Sequence, residues 1–322
     1  MGLILLTGAT GFIGGQVTAA LLAAGHEVRA LVRGSPDRAP ANTSPFVADL
    51  TVDSSLDGIE AGVSTVVHCA GRLGGWAVGT AELEAVNVLG TERLLRRFVG
   101  REVRVLVLGA AGVTGPVQQG PADETYPCVP TTPYERSKHA AEVIVTRTAR
   151  ELGLDAAVLR PTFTYGPSDR HKLPLFRAIA RGRYALLGSG DSLIHPVHVD
   201  DVVAGVLLAL EHATTGRVYV IGGPRPVTQR ELAETIADAV GARRPSWRIP
   251  VALARVAASL AEAAGRALGR DPLLTRSRVA MMSENFDYTI ARARDELGFR
   301  PSVDLRTGIE STVRHYRAAG FL

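Results

Sequence analysis

Apolar residues come in short, nearly unbroken runs along the first half of the chain. LILLT, EVRALV, FVA, STVVHCA and VRVLVLG read as five strands, and segments near 12–24, 53–60, 80–98 and 133–152 carry helical spacing between or after them. Strands that are apolar on both faces and separated by helices predict a doubly wound α/β architecture with a parallel sheet. Its ligand should lie at the carboxyl ends of the strands. DAAVLRPT predicts a sixth strand and RVYVIGG a seventh. The stretches 163–198 and 222–322 are not needed for the sheet. The second holds a capping-box pattern, Thr228-x-x-Glu231, then an apolar helical stretch over roughly 251–268, a turn at Gly298-Phe-Arg-Pro301 and a last amphipathic helix to about 318. Residues 1–162 plus about 199–221 are therefore expected to form the main domain. The two remaining stretches would gather into a smaller C-terminal substrate lobe.

Composition narrows the class. With 322 residues, 46% of them hydrophobic and 21% charged, the chain has the makeup of a globular protein with a large core. The net charge of +4 comes almost wholly from arginine, since Lys138 and Lys172 are the two lysines. The arginines look scattered among acids and aromatic residues make up 5%, so no nucleic-acid partner is expected. Cys69 and Cys128 make no disulfide framework and lack metal-ligand spacing, which predicts no metal and a reduced, cytoplasmic setting. The N-terminal run stops at Thr7 without a basic start, as a buried strand would. Arg255, Glu262 and Arg266 interrupt 251–268, so no membrane span is predicted.

Between the first strand and the first helix lies TGATGFIGG. Gly8, Gly11 and Gly14 fit the needs of a dinucleotide loop: a tight turn, close approach of backbone to a pyrophosphate, and packing of helix on strand. Thr10, Phe12 and Ile13 complete the loop and the first helical turn, whose N–H groups face the phosphates. The second strand ends ALVRGSPDR. Arg33 stands where an acid would bind a ribose 2′-hydroxyl, which favours NADP, with NAD as the alternative. Asp49, ending the third strand, is a candidate for the adenine amino group or for capping the next turn.

Tyr134 and Lys138 lie four apart at the start of a helix and so share a face. An ammonium beside a phenol is expected to lower its pKa and make a proton donor for a carbonyl. Arginine's wide fork is a poor replacement for that compact charge. TGATGFIGG, the ADL at 48–50, VVHCAG at 66–71, NVLGT at 87–91, YERSK at 134–138, LRPTFTYGP at 159–167 and HPVHVDDVV at 195–203 resemble the extended short-chain dehydrogenase/reductase family. Within it, the long C-terminal lobe most resembles the 3β-hydroxysteroid dehydrogenase and dihydroflavonol reductase-like branch. The resemblance implies a Rossmann domain, NAD(P), and Tyr134 and Lys138 as the catalytic pair. It also implies cofactor contacts from Gly8, Gly11, Phe12, Ile13, Asp49, Leu50, Ala70, Gly71, Asn87, Pro161 and the Tyr134–Lys138 pair. A homodimer through helices 80–98 and 133–152 is the oligomer it allows.

One position departs from that pattern. The register LGAAGVTG puts Ala110 where the family carries a serine or threonine beside the substrate oxygen. Thr114, Thr131 or Thr132 could replace the hydroxyl, the reaction could run on Tyr134 and Lys138 or a substrate hydroxyl, or the site could bind without turnover. Ile194 stands where sugar-nucleotide enzymes of the family hold an arginine. Arg170, His171 and Lys172 are either anion ligands or polar lobe surface, and Asp200 and Asp201 are expected to cap the helix after them. The small-molecule substrate expected is thus an apolar or polycyclic alcohol or ketone, oxidised or reduced with NADP(H). An epimerase or dehydratase holding NAD tightly is the second reading, and a non-catalytic dinucleotide-binding protein the third.

Overall fold

The apolar runs become strands, and every strand of the main sheet is parallel to its neighbours. The computed structural model describes residues 2–75, 78–269, 272 and 274–322. Seven strands, β1 (Leu3–Thr7), β2 (Glu27–Val32), β3 (Ser44–Val47), β4 (Val63–His68), β5 (Arg104–Leu108), β6 (Ala156–Pro161) and β11 (Val218–Ile221), stand in the order β11-β6-β5-β4-β1-β2-β3. Successive strands run outward from β1 to one edge and then from β4 to the other. The crossover point between β1 and β4 is where a doubly wound sheet opens a ligand crevice.

Alternation along the strands divides the core into two layers. Ile4 and Leu6 of β1 join Val67 and Leu106 on one face, under α1 (Phe12–Ala23) and α6 (Val199–His212). Leu5 joins Val66, Val105 and Val107 on the other. There a helix of two parts, α2 (Thr80–Leu83) and α3 (Gly90–Arg96), with a π-helical segment Glu84–Leu89 between them, packs beside α4 (Pro133–Leu152). The helix expected over 53–60 shortens to one 3₁₀ turn, Asp53–Leu56, because Gly58 and Gly62 take φ of 81° and 73°.

The connecting strands β7 (Phe163–Tyr165), β8 (Leu186–Leu187), β9 (Leu193–Ile194) and β10 (Pro196–His198) pair in twos, with β12 (Val227–Thr228) and β13 (Arg248–Ile249) as partners for β9 and β8. Helices α5 (Leu173–Ala180), α7 (Gln229–Val240) and α11 (Leu305–Ala318) bury Phe176, Ile236, Val313 and Tyr316 in a core of their own. Helices α8 (Val251–Leu268) and α9 (Arg276–Ser283) form a further small cluster. Helix α10 (Ala291–Leu297) lies within the stretch assigned to the lobe, yet its Ala293 and Leu297 are buried in the sheet core beside Tyr219. At α6 the His198 ring, not an aspartate, accepts from the Asp200 N–H. Asp201 instead turns away and accepts from the backbone N–H groups of Ser302 and Val303, tying α11's approach to α6. Among the described residues no helix is long and apolar enough to cross a membrane.

Candidate functional site

The glycine loop sits at the crossover point, and two of its glycines have no substitute. A Cβ on Gly8, whose φ is +76°, would lie 2.7 Å from Ala70 N. A Cβ on Gly14 would lie 2.1 Å from Gly8 O. The loop therefore closes against the end of β4 and brings Ala70 and Gly71 beside it. Gly11 is the N-cap of α1 and supplies no side-chain cap, and the first turn carries no acid, so the helix's leading N–H groups remain for an anion. Thr10 is exposed at the mouth, while Phe12 and Ile13 are half-buried. This backbone cradle and uncapped helix fit a pyrophosphate.

At the end of β2, Arg33 is exposed; hydrogen bonds from Thr51, and last the Arg33 charge, hold the Asp49 carboxyl below the usual range. Arg38 comes back onto it, Nη1 donating to Arg33 O at 3.4 Å, so two arginines stand at this corner where one was expected. Asp49 caps the turn after β3: its Oδ1 accepts from Thr51 N–H at 2.8 Å and Thr51 Oγ1–H at 2.7 Å. The Leu50 side chain belongs to the core.

A buried polar chain joins these parts to α4, and no sequence pattern announced it. Thr91 Oγ1 donates to Asn87 O at 2.7 Å, so it must accept from His68 Nε2–H at 2.9 Å. His68 Nδ1 then accepts from the Thr7 hydroxyl at 2.6 Å, and that oxygen takes the Ala70 N–H at 3.1 Å. Burial, helped by the Lys138 charge, drives the His68 pKa down to about 3, which keeps the ring neutral and fixes this tautomer. Asn87, held in the π-helical segment, clamps the Arg72 backbone with both its amide atoms and donates to Ser137 Oγ at 2.9 Å. Holding the register of that clamp gives the π segment a purpose.

On α4 the inner face reads Tyr134, Lys138, Glu142. A full capping box of Thr132 and Glu135 starts the helix, with Pro133 in its first turn. Lys138 is buried and its Nζ donates to Leu108 O at 2.5 Å, at the end of β5. Burial lowers its pKa to about 8. Gly71 is its neighbour, a Cβ there lying 3.8 Å from Nζ. Tyr134 is half-buried, and Gly74 packs directly on it, leaving no room for a Cβ, which would fall 2.8 Å from Tyr134 Cβ. The expected lowering of the phenol is not found. Burial and, second, the Glu135 carboxylate push Tyr134 up to about 12. Glu142 completes the face with a buried two-point pair to Arg160, at 2.8 and 2.5 Å.

The turn after β5, where a hydroxyl was expected, offers none at Ala110. Ala110 precedes a 3₁₀ turn, Ala111–Thr114, in extended conformation. Thr114 Oγ1 donates inward, to the carbonyl of Gly115 at 2.9 Å and near Tyr288, Thr131 Oγ1 donates to Glu135 Oε2 at 2.9 Å, and Thr132 Oγ1 accepts from the Glu135 N–H at 3.1 Å. The pairing of Leu108 with Leu159 is continued one residue further by the Gly109 N–H, which donates to Leu159 O. The Thr162 hydroxyl is buried and finds no hydrogen-bond partner in the chain. Arg170 and Lys172 lie over the rings of Phe321 and Phe163.

Residues 4–222 match the family described as the NAD dependent epimerase/dehydratase family. The chain belongs to that family. A 4-hydroxy-2-methyl-3-oxo-4-farnesyl-3,4-dihydroquinoline-1-oxide ketoreductase from Stigmatella aurantiaca is 31% identical over 317 residues, 95% of this chain and 94% of that one. A 3-beta-hydroxysteroid dehydrogenase from Mycolicibacterium neoaurum is 28% identical over 341 residues, covering 98% and 92%. Among solved structures, a UDP-glucose 4-epimerase from Thermus thermophilus in complex with NAD superposes with a TM-score of 0.78 at 26% identity, covering 98% and 99%. As a member of an NAD(H)-binding family the chain carries the Rossmann-type sheet these enzymes share, and its relatives include oxidoreductases.

Proposed function

We propose that the protein is an NADP-dependent reductase of a ketone on an apolar or polycyclic small molecule, with Tyr134 as proton donor and Lys138 as its support. The observation that carries this reading is the inner face of α4. It presents Tyr134 and a buried Lys138 directly beside Gly71 and Gly74, at the carboxyl end of the strands where the glycine cradle opens. Bound NADPH would supply the hydride to the carbonyl carbon. A phenol raised to about 12 is protonated at neutral pH, which is the form that donates to a carbonyl oxygen as it gains charge. To Lys138, a cation below its pKa of about 8 that donates to Leu108 O, we assign the ribose hydroxyls of the bound cofactor. Gly8, Thr10, Gly11, Phe12, Ile13 and Gly14 would cradle the pyrophosphate. Asp49, Leu50, Ala70, Gly71, Asn87 and Pro161 would line the adenosine and nicotinamide sides.

Arg33 and Arg38 together favour a 2′-phosphate over a bare hydroxyl. The ketoreductase and steroid dehydrogenase relatives support a lipophilic substrate, as does Ile194 at a position where an anion-binding arginine would suit a sugar nucleotide. Thr162 is our candidate for the hydroxyl that Ala110 lacks. The same reading includes a homodimer through α3 and α4, whose outer faces leave a cleft of about 280 Å³ lined by Leu95, Val99, Ile144 and Leu152. Arg33→Ala tests the cofactor assignment. Titration with each dinucleotide should show NADPH weakened by roughly tenfold or more and NADH hardly changed. Equal losses for both would remove the argument for NADP, and NAD retained through purification would favour the epimerase class.

A further inference from the structure

Helix α8 is built the wrong way round for a helix that only packs on its own protein. The positions it buries are Ala254, Ala258, Glu262 and Gly265, spaced so that small residues and one acid face inward. Its large residues face out: Leu253 is 63% exposed, Val256 59%, Leu260 67% and Leu268 70%, and Trp247, just before the helix, is 79% exposed. Of fourteen large hydrophobic residues that are exposed among the described residues, seven fall between Trp247 and Met281. Apolar side chains so exposed add nothing to the stability of this fold, and a contiguous patch of them marks a surface that meets something else.

Charge says what that is. From Arg243 to Glu284 the sequence holds eight arginines against three acids, a net of +5, while the whole chain is +4 and the other 280 residues are therefore −1. Eight of the chain's 34 arginines (36 Lys+Arg less two lysines) lie in these 42 residues, and with them the chain's excess of positive charge. The acid of α8 itself, Glu262, is turned inward and answered by Arg276. The polar residues left on the exposed part of the helix are Arg255, Ser259 and Arg266, which share one edge of the aliphatic face at helical spacing. Arg255 is partnered by Glu284 at 3.0 Å, and Arg244, at the segment's start, by Glu234 and Asp238 at 3.5 and 2.8 Å; counting those two acids leaves a net of +3 (+5 − 2).

We infer that α8, with Trp247 and Ile249, is an interfacial docking surface for an anionic lipid bilayer. An aliphatic face, arginines along its edge and a tryptophan at its end are what lets a helix lie in the headgroup region rather than span it. A second copy of the chain is a poorer occupant, because it would bring two positively charged segments together. The surface is tied to the site as well. The chain leaves α9 through Asn285, which accepts from Leu193 N–H and from Val117 N–H, and reaches Tyr288 beside Thr114. The inference does not depend on the substrate assigned above.

The test is flotation of the full-length protein with vesicles of phosphatidylcholine alone and of phosphatidylcholine containing about one part in three phosphatidylglycerol. Binding should be at least about tenfold tighter to the anionic vesicles and should weaken with salt. The double variant Leu253→Glu/Leu260→Glu should lose at least about tenfold in vesicle affinity while keeping the wild-type thermal midpoint and NADPH affinity, since both side chains face solvent. Trp247→Phe should remove any blue shift of emission seen on binding. Equal binding to both vesicle types, binding to neither, or anionic binding that the double variant retains would overturn the inference. So would a dimer in solution that the double variant splits without any vesicle binding by the wild type.

Discussion

On the proposed reading, Ala110 leaves the substrate oxygen one donor short. Of the three threonines that could have replaced the hydroxyl, Thr114 and Thr131 donate within the chain, and Thr132 accepts from the Glu135 N–H as the N-cap of α4. Thr162 was passed over in the sequence because it sits inside a strand-end motif rather than in the loop after β5. Its buried, unpartnered hydroxyl singles it out. Thr162→Val keeps the shape and removes the donor, so kcat should fall by about 10²–10³ with NADPH affinity unchanged. An unchanged kcat would place the missing donor elsewhere. Gly74 acts at the same scale by contact alone. A methyl group there collides with Tyr134 Cβ, so Gly74→Ala should lower kcat by at least about tenfold while the thermal midpoint holds. Equal activity would mean that the strap can yield without moving the phenol. The Tyr134–Lys138 pair and the glycine loop were legible because each is a local spacing with a chemical meaning. Gly74's role is a contact across sixty positions and leaves no local mark.

Among elements, the long ones matched their sequence patterns closely. Helix α4 occupies 133–152 and α8 occupies 251–268, as their periodicity and caps predict. The segment 80–98 reads as plain helix, yet it carries the π-helical turn that aims Asn87 at Arg72 and Ser137. Helical periodicity does not register one inserted residue. Thr7, His68 and Thr91 were missed for a related reason, since they lie on three elements and only folding joins them. That network has a measurable signature. His68 falls from an ordinary 6.5 to about 3, and burial lowers His195 and His198 as well. The unfolded chain therefore binds more protons than the folded one below about 6.5. Stability is fully present above that pH and is lost as pH falls from there toward 3. Urea midpoints should decline between pH 6.5 and 5, at a slope of about 1 kcal/mol or more per pH unit. His68→Gln should be less stable at neutral pH but show a shallower decline, and a flat wild-type profile would contradict the neutral buried ring.

For the whole molecule, the order of the sheet explains why chemistry collects where it does. The crossover between β1 and β4 places the cradle, the Asn87 clamp and α4 at one end of the strands. The lobe assigned to 163–198 and 222–322 proves less separate than its sequence suggested, since α10 returns to cover the sheet. Sequence patterning could not show this, because an apolar helical face does not name the surface it will meet. The same limit applied to α8, which the sequence offers as an apolar helical stretch of the substrate lobe and whose aliphatic face stands in solvent in the structure. The decisive measurement is NADPH oxidation with a panel of apolar and polycyclic ketones, comparing the wild type with Tyr134→Phe. Turnover is expected from the wild type, with a loss of about 10²–10⁴ in kcat for the variant and NADPH affinity within about twofold. Undiminished turnover by Tyr134→Phe would contradict the assignment of Tyr134 as proton donor.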